Sequence, residues 1–261
     1  MEWLPKLFSH KKQSMLSDKI ALAVLDMAGT TVVDNGEIED CFLEACQQTG
    51  LNVTRDQINS MMGWSKIAVF QTFWRRKLGA EHPDLEDKVE ESYNAFRDLL
   101  EAHYESAELF PTEGALETMA WLRKNGVKVV LNTGFYREVT DIILEKLGWD
   151  EGLDENHVAI GQSVIDMSIT SDEVEKGRPH AYMIFKAMKQ FGITDPKKVL
   201  KVGDTPVDLA EGKTAKCLFS LAVTNGSHTE AELSRLNNDG LLPTLGHLRG
   251  FLEEKLGLSN A

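Results

Sequence analysis

No stretch of this chain approaches the ~20 consecutive apolar residues that a membrane span needs, so a transmembrane anchor is not expected. Cysteine is scarce. Cys41, Cys46 and Cys217 form neither a CxxC motif nor an even disulfide framework. Three free thiols fit a reducing cytoplasm, where disulfides rarely persist. Basic residues are outnumbered, 28 Lys and Arg against 41 Asp and Glu, giving a formal net charge of −13. The basic footprint of a nucleic-acid-binding surface is therefore missing, although a local site in an acidic protein can still take a small anion. Residues 1–18 hold Lys6, Lys11 and Lys12 but lack the apolar h-region of a signal peptide. Trp3, Leu4, Leu7 and Phe8 offer a short amphipathic patch there, but a poorly ordered extension is the commoner state of an unanchored terminus. Internal repeats and low-complexity tracts are absent as well.

What is present is the composition of a globular protein, 42% hydrophobic and 26% charged. Ile20–Leu25, Val127–Asn132, Val199–Val202 and Leu218–Val223 are short apolar runs that read as buried parallel strands. Helical patterns separate them over Glu113–Lys124, Arg137–Leu147 and Arg178–Phe191. Strands alternating with such helices indicate an α/β fold with a right-handed, doubly wound parallel sheet. Residues 36–110 break the alternation with four successive helical patterns and no persuasive strand, over Glu39–Thr49, Thr54–Met62, Ile67–Leu78 and Leu85–Tyr104. They read as an inserted all-helical cap domain (36–110), hinged near Asp34–Gly36 and Phe110–Gly114. The core then comprises 19–35 and 111–261.

Four loops, each reached from a predicted strand, carry polar residues of complementary kinds. Asp26 emerges at the carboxyl end of the first strand, where ligands bind in open α/β sheets, followed by the small turn Gly29-Thr30-Thr31. Thr133-Gly134 ends the second strand, so the Thr133 hydroxyl can donate to a phosphoryl group beside a helix N-terminus. Gly177-Arg178-Pro179 is expected to open a helix with proline in its first turn. Arg178 suits phosphoryl oxygens as a guanidinium fork, ahead of the adjacent Lys176. Gly203-Asp204-Thr205-Pro206-Val207-Asp208 places two acids four apart after a strand. That spacing suits Mg²⁺, a hard cation that takes few carboxylates. Asp26, the Ala28 carbonyl and Asp204 would ligate it, with Asp208 orienting groups behind them. Read singly, each of these residues has a plain role as a cap or turn former.

Taken together, Asp26, Thr133, Arg178 and the Asp204/Asp208 pair match, in order, the four motifs of the haloacid-dehalogenase-like hydrolase superfamily, and the resemblance runs from about Ile20 to Arg235. It implies a Rossmann-like core, an aspartate nucleophile and Mg²⁺. Many members carry a second aspartate two residues after the nucleophile as general acid and base; this chain has Ala28 there. In this it resembles the phosphonoacetaldehyde hydrolase branch, as does Met62-Gly63-Trp64-Ser65-Lys66, which matches that branch's Met-Gly-x-x-Lys motif. A lysine that condenses with an aldehyde turns the leaving group into an enamine, so a phosphorus–carbon bond can break without an oxygen acid.

The likeness has departures. Val69, Phe135 and Glu37 stand where that branch usually has histidine, tyrosine and cysteine. Leu131–Phe135 and Leu144–Trp149 are closer to a sister group of phosphonatase-like hydrolases. The expected substrate is a small phosphonate or phosphorylated compound, bound by Thr133, Gly134, Arg178, Met62 and Glu37 near Lys66. One alternative is a phosphate-monoester phosphatase in which Lys66 grips an anionic group and Glu37 acts as the missing acid. Another is a catalytically silent binding protein on the same scaffold. A dehalogenase has no evident need for Asp204 and Asp208. The resemblance also makes a homodimer through the cap plausible, while the acidic composition disfavours a nucleic-acid or membrane partner.

Overall fold

The computed structural model describes residues 16–258. Its centre is a six-stranded parallel sheet. In chain order the strands are β1 (Leu22–Leu25), β2 (Lys128–Thr133), β3 (Met167–Thr170), β4 (Val199–Gly203), β5 (Phe219–Val223) and β6 (Gly240–Leu242). They lie side by side in the order β3-β2-β1-β4-β5-β6. The chain winds outward from β1 in one direction and then returns to continue in the other. The carboxyl end of β1 is thus the switch point, where a crevice opens for ligands.

The helices are α1 (Leu16–Lys19), α2 (Glu37–Gln48), α3 (Arg55–Asn59), α4 (Lys66–Leu78), α5 (Leu85–Ser106), α6 (Ala115–Lys124), α7 (Arg137–Leu147), α8 (Tyr182–Gln190), α9 (Pro206–Thr214), α10 (Glu230–Leu233) and α11 (Leu248–Leu256). Side chains alternate across each strand, so both sheet faces are covered. Leu22 and Val24 pack with Met183, Ile184 and Ala187 of α8 on one face. Ala23, Leu25, Val129 and Leu131 join the larger cluster on the other. Among the described residues, no helix is long and apolar enough to cross a membrane. Cys41, Cys46 and Cys217 are free and buried.

From residue 37 to 106 the chain is helical, α2 to α5, with no strand among the described residues. The amphipathic faces of these helices meet around Phe42, Phe70 and Phe96. The Phe42 and Phe96 rings stack at 4.2 Å, and Phe70 lies 5.2 Å from Phe42. The insertion leaves and re-enters the core side by side, since Val33 N–H donates to Phe110 O and Thr112 N–H to Thr31 O. It leans on the core along α5 and α7. There Lys146 Nζ donates to the carbonyls of Tyr104, Glu105 and Ala107 at the end of α5, at 2.9, 2.6 and 2.7 Å. Those carbonyls are the ones a helix leaves without internal partners.

Three readings of the sequence need correction. The helix expected from Arg178 starts at Tyr182, capped by Ala181. Arg178 and Pro179 form a turn before it, closed by His180 N–H to Gly177 O, that carries Arg178 into the interior. Strands β3 and β6 were not anticipated, because Met-Ser-Ile-Thr and Gly-Leu-Leu are too short and mixed to stand out. Of the extension expected over 1–18, only residues 16–18 are described, and they belong to α1 with Leu16 buried. The patch around Trp3, Leu4, Leu7 and Phe8 lies outside the described residues.

Candidate active site

The register of three adjacent strands assembles the site. Leu25 pairs with Leu131 on β2 and with Val202 on β4. One step on, Asp26 therefore lies between Asn132 and Gly203, with strands ~4.8 Å apart. Its N–H donates to Val202 O at 2.9 Å. Asp26, Thr133 and Asp204 arrive together because each follows or ends its strand at the same edge.

Beneath them lies a buried ionic network. Asp26 Oδ1 is 2.6 Å from Arg178 Nη2, and that nitrogen also donates to Asn132 O and Oδ1 at 2.6 and 2.9 Å. Arg178 Nη1 is 2.9 Å from Asp208 Oδ1, and Nε is 3.2 Å from Glu211 Oε2. Lys201 Nζ, rising from β4, reaches Asn132 Oδ1 at 2.7 Å, Asp208 Oδ1 at 2.9 Å and Glu211 Oε2 at 3.4 Å. Asp208 and Glu211 share one face of α9, being three residues apart. The turn into α9 fixes Asp208 further, since Thr205 Oγ1 donates to its Oδ2 at 2.5 Å.

Counting charge, the carboxylates of Asp26, Asp204, Asp208 and Glu211 face the two cations Arg178 and Lys201, all buried. Within this network two negative charges are left over, before the buried Lys66 above it is counted. The strain appears at Asp204, which burial and then the carboxylates of Asp26 and Asp208 push up to about 8. Burial outweighs Arg178 at Asp26 and raises it too. At Asp208 burial works in the same direction, but Arg178 and Lys201 overcome it and hold the carboxyl down to about 2.

The donor set fits a hard divalent ion. One oxygen each from Asp26, Asp204 and Asp208 lies within 4.8 Å of the others. Asp204 Oδ2 accepts from Ser227 N and Oγ, each at 2.7 Å. Its Oδ1 is buried with no hydrogen-bond partner, a costly state unless something else engages it. Gly29 holds a left-handed φ of 79°, and a Cβ there would come 2.5 Å from Asp204 Oδ2. Asp208 is already engaged by Arg178, Lys201 and Thr205, so it stands behind the other two.

Above the network, Lys66 opens α4 with its side chain turned inward, only 4% exposed. It lines a small cavity with Asp26, Ala28, Asp34, Met62 and Thr133. The cavity measures about 20 Å³, enough for roughly one water. Lys66 Nζ lies 4.9 Å from the ring centre of Phe135 and 5.6 Å from that of Phe42. Burial between these rings lowers the amine to about 8, against the opposing pull of Asp26 and Asp34. The roof is tight. A Cβ on Gly134 would come 2.5 Å from Trp64 O, and one on Gly63 2.4 Å from Thr205 Oγ1.

The residues singled out in the sequence fall as follows. Asp26, Ala28, Met62, Lys66, Thr133, Gly134, Arg178 and Asp204 all line the cavity, and Asp208 lies just beneath it. Thr133 Oγ1 accepts from Phe135 N–H, leaving its proton to donate. Arg178 is buried and Lys176 exposed, which separates the two cations. Glu37 is not among the lining residues. Its carboxylate accepts from Asn35 N and Nδ2 at 2.5 and 3.0 Å at the start of α2, and Asp34 faces the cavity in its place. Val69, one turn along α4, is buried. Sequence reasoning missed the roles of Lys201, Asn132, Glu211, Ser227 and Asp34. The lysine inside the strand Val199-Leu200-Lys201-Val202 was the one available signal, because a buried strand carries a charge only where it is paired.

Comparison with known proteins decides the family. The sequence model described as hydrolase, haloacid dehalogenase-like hydrolase, matches residues 20–216. The chain belongs to that family. This hydrolase is 30% identical over 223 residues to a phosphonoacetaldehyde hydrolase of Bacillus cereus (strain AH187), covering 80% of this chain and 77% of the relative. It is 31% identical over 246 residues to a bifunctional phosphonoacetaldehyde hydrolase/aminoethylphosphonate transaminase of Clostridioides difficile (strain 630). That match covers 88% of this chain but only 36% of the bifunctional protein. Among solved structures, a phosphonoacetaldehyde hydrolase-like protein from Oleispira antarctica superposes with a TM-score of 0.72 at 18% identity, covering 94% of this chain and 95% of that one. At that identity the likeness speaks for the fold alone. The family assignment makes the chain an enzyme and sets aside a silent scaffold.

Proposed function

We propose that this hydrolase cleaves the phosphorus–carbon bond of a small carbonyl-bearing phosphonate, with Asp26 as nucleophile, Lys66 as imine-forming amine and Mg²⁺ as cofactor. One observation carries the reading: a buried lysine with a lowered pKa shares a small cavity with the aspartate, in a chain that has Ala28 where an acid is usual. At about 8, a useful fraction of Lys66 is neutral near physiological pH and able to attack a carbonyl. The ~30% identity to phosphonoacetaldehyde hydrolases supports the same substrate class.

The residues divide the work. Lys66 adds to the carbonyl carbon, water leaves, and the nitrogen becomes a protonated imine. Asp26, aligned by Arg178 at 2.6 Å, attacks phosphorus; the P–C electron pair flows into the imine and leaves as an enamine. Arg178 and the Thr133 hydroxyl stabilise the phosphoryl oxygens. Water then hydrolyses the aspartyl phosphate, and hydrolysis of the reprotonated imine returns the aldehyde and the free lysine. Asp26, the Ala28 carbonyl and Asp204 would hold Mg²⁺, which when bound supplies positive charge against the phosphoryl group. The helical insertion acts as a cap that excludes water, and a homodimer through it belongs to the same reading.

The test is phosphate release from phosphonoacetaldehyde against a panel of phosphate monoesters, with borohydride trapping during turnover. The reading expects release from the phosphonate and a reduced adduct on Lys66. Release from esters alone, with Lys66 unlabelled, would overturn it in favour of a phosphatase.

A further inference from the structure

The missing acid has left a gap in proton handling, since imine formation needs a proton delivered to the carbonyl oxygen. We propose that Asp34, held by Glu37, is the proton donor to that oxygen as Lys66 condenses with its substrate. The inference rests on the Lys66 reading above.

Asp34 lines the same small cavity as Lys66 and sits on the hinge turn where the chain enters the insertion. Gly36 N–H fixes its Oδ1 at 3.1 Å, and the Glu37 carboxyl three residues on is near enough to raise that of Asp34. Neighbouring carboxyl groups resist ionising together, so one of them holds its proton to higher pH. Which one follows from their surroundings. Glu37 already accepts two hydrogen bonds from Asn35, and although its partial burial works the other way, its hydrogen bonds with Asp34 and Asn35 lower its pKa. Asp34 faces the interior, where burial and then the Glu37 hydrogen bond raise it to about 6, against a smaller opposing pull from Lys66. Asp34 is the partner that holds its proton to the higher pH.

The step balances as follows. The Lys66 amine forms a bond to the carbonyl carbon while the carbonyl π pair moves to oxygen, which takes the Asp34 proton. The resulting ammonium returns one proton to the Asp34 carboxylate. Asp34 then protonates the hydroxyl, the C–O bond breaks, water leaves, and the nitrogen lone pair forms C=N⁺. Asp34 ends ionised beside a cationic imine, and the reverse sequence releases the product aldehyde. Glu37 touches no reacting group. It is a positioning residue.

Adduct formation read by intact mass tests this, using the full chain with phosphonoacetaldehyde and sodium borohydride and the thermal melt of each variant as a control for folding. Asp34→Asn is expected to slow reduced-adduct formation by about 10²-fold or more, the usual size of general acid catalysis. Glu37→Gln should slow it less, by roughly tenfold. Added formate should restore adduct formation in Asp34→Ala, which a merely structural role would not produce; Asp34→Ser serves if the alanine variant does not fold. Wild-type trapping with Asp34→Asn unaffected, or with no rescue by formate, would overturn the assignment of Asp34 alone. A wild-type protein that gives no adduct would overturn the Lys66 reading and this inference with it.

Discussion

Replacing Lys201 with methionine isolates the electrostatics of the buried network from its packing. Methionine nearly matches the lysine stem in volume, so the cavity contribution is small. What disappears is a cation 2.9 Å from Asp208 and 3.4 Å from Glu211. Asn132 Oδ1 loses one donor but keeps Arg178 Nη2 at 2.9 Å, so no polar atom is orphaned there. Four buried carboxylates would then face Arg178 from below and only Lys66 from above. Breaking a buried pair by deleting one partner costs ~3–5 kcal/mol. For a chain of this size that lowers the melting temperature by about 6–20 °C. Glu211→Gln in the Lys201→Met background restores the charge count while its carbonyl still accepts from Asn132 Nδ2. It should recover at least ~1 kcal/mol, a coupling expected of residues in one network. Chemical denaturation of wild type, both single variants and the double variant closes the cycle. A Lys201→Met cost below ~1 kcal/mol, or a double variant no better than the sum of the singles, would refute the charge-balance argument.

Two further outcomes follow from the same site. Mg²⁺ at about 100 times its dissociation constant should stabilise the protein by ~2.7 kcal/mol, roughly 5–11 °C in melting temperature. Asp204→Asn should abolish that shift, and a variant that keeps it would place the metal elsewhere. The pH dependence of stability should carry a mark of Asp34. Its folded pKa of about 6 exceeds the usual 3.8, so the native state binds its proton more tightly. That contribution is full below about pH 4 and is lost as pH rises toward 6. For Asp34 alone the loss is up to about 3 kcal/mol, and the opposite shift at Glu37 offsets part of it. Denaturation midpoints of wild type minus Asp34→Asn between pH 4 and pH 7 measure it; a flat difference would refute the assignment.

The parts of this molecule legible in its sequence share a cause. Asp26, Thr133 and Asp204 were readable because each stands at the end of an apolar run long enough to announce a strand, and parallel strands deliver their carboxyl ends to one edge. Lys66 was readable only through its Met-Gly-x-x-Lys setting, since a lysine opening a helix is ordinarily solvated. Long-range partnership left no such mark. Asn132, Lys201 and Glu211 meet through register and through the crossing of β4 by α9, neither of which has a local signature. Asp34 lines the cavity and Glu37 does not. A three-residue step at the entry to α2 changes which side chain faces inward. Arg178 shows the same limit: its identity was clear, whereas the turn that buries it before Tyr182 was not.

The tight roof has a kinetic consequence. A space of about 20 Å³ is too small to hold a phosphonate, and a Cβ on Gly134 would already meet the Gly63-Trp64 backbone. In the proposed reaction the roof must therefore shift twice in each cycle, once to admit substrate and once to release product. Lys146 holds the end of α5 through three carbonyls, and the Tyr104 ring beside them packs on Phe135 of the pocket. Any swing of the roof has to carry that tie between insertion and core with it or loosen it.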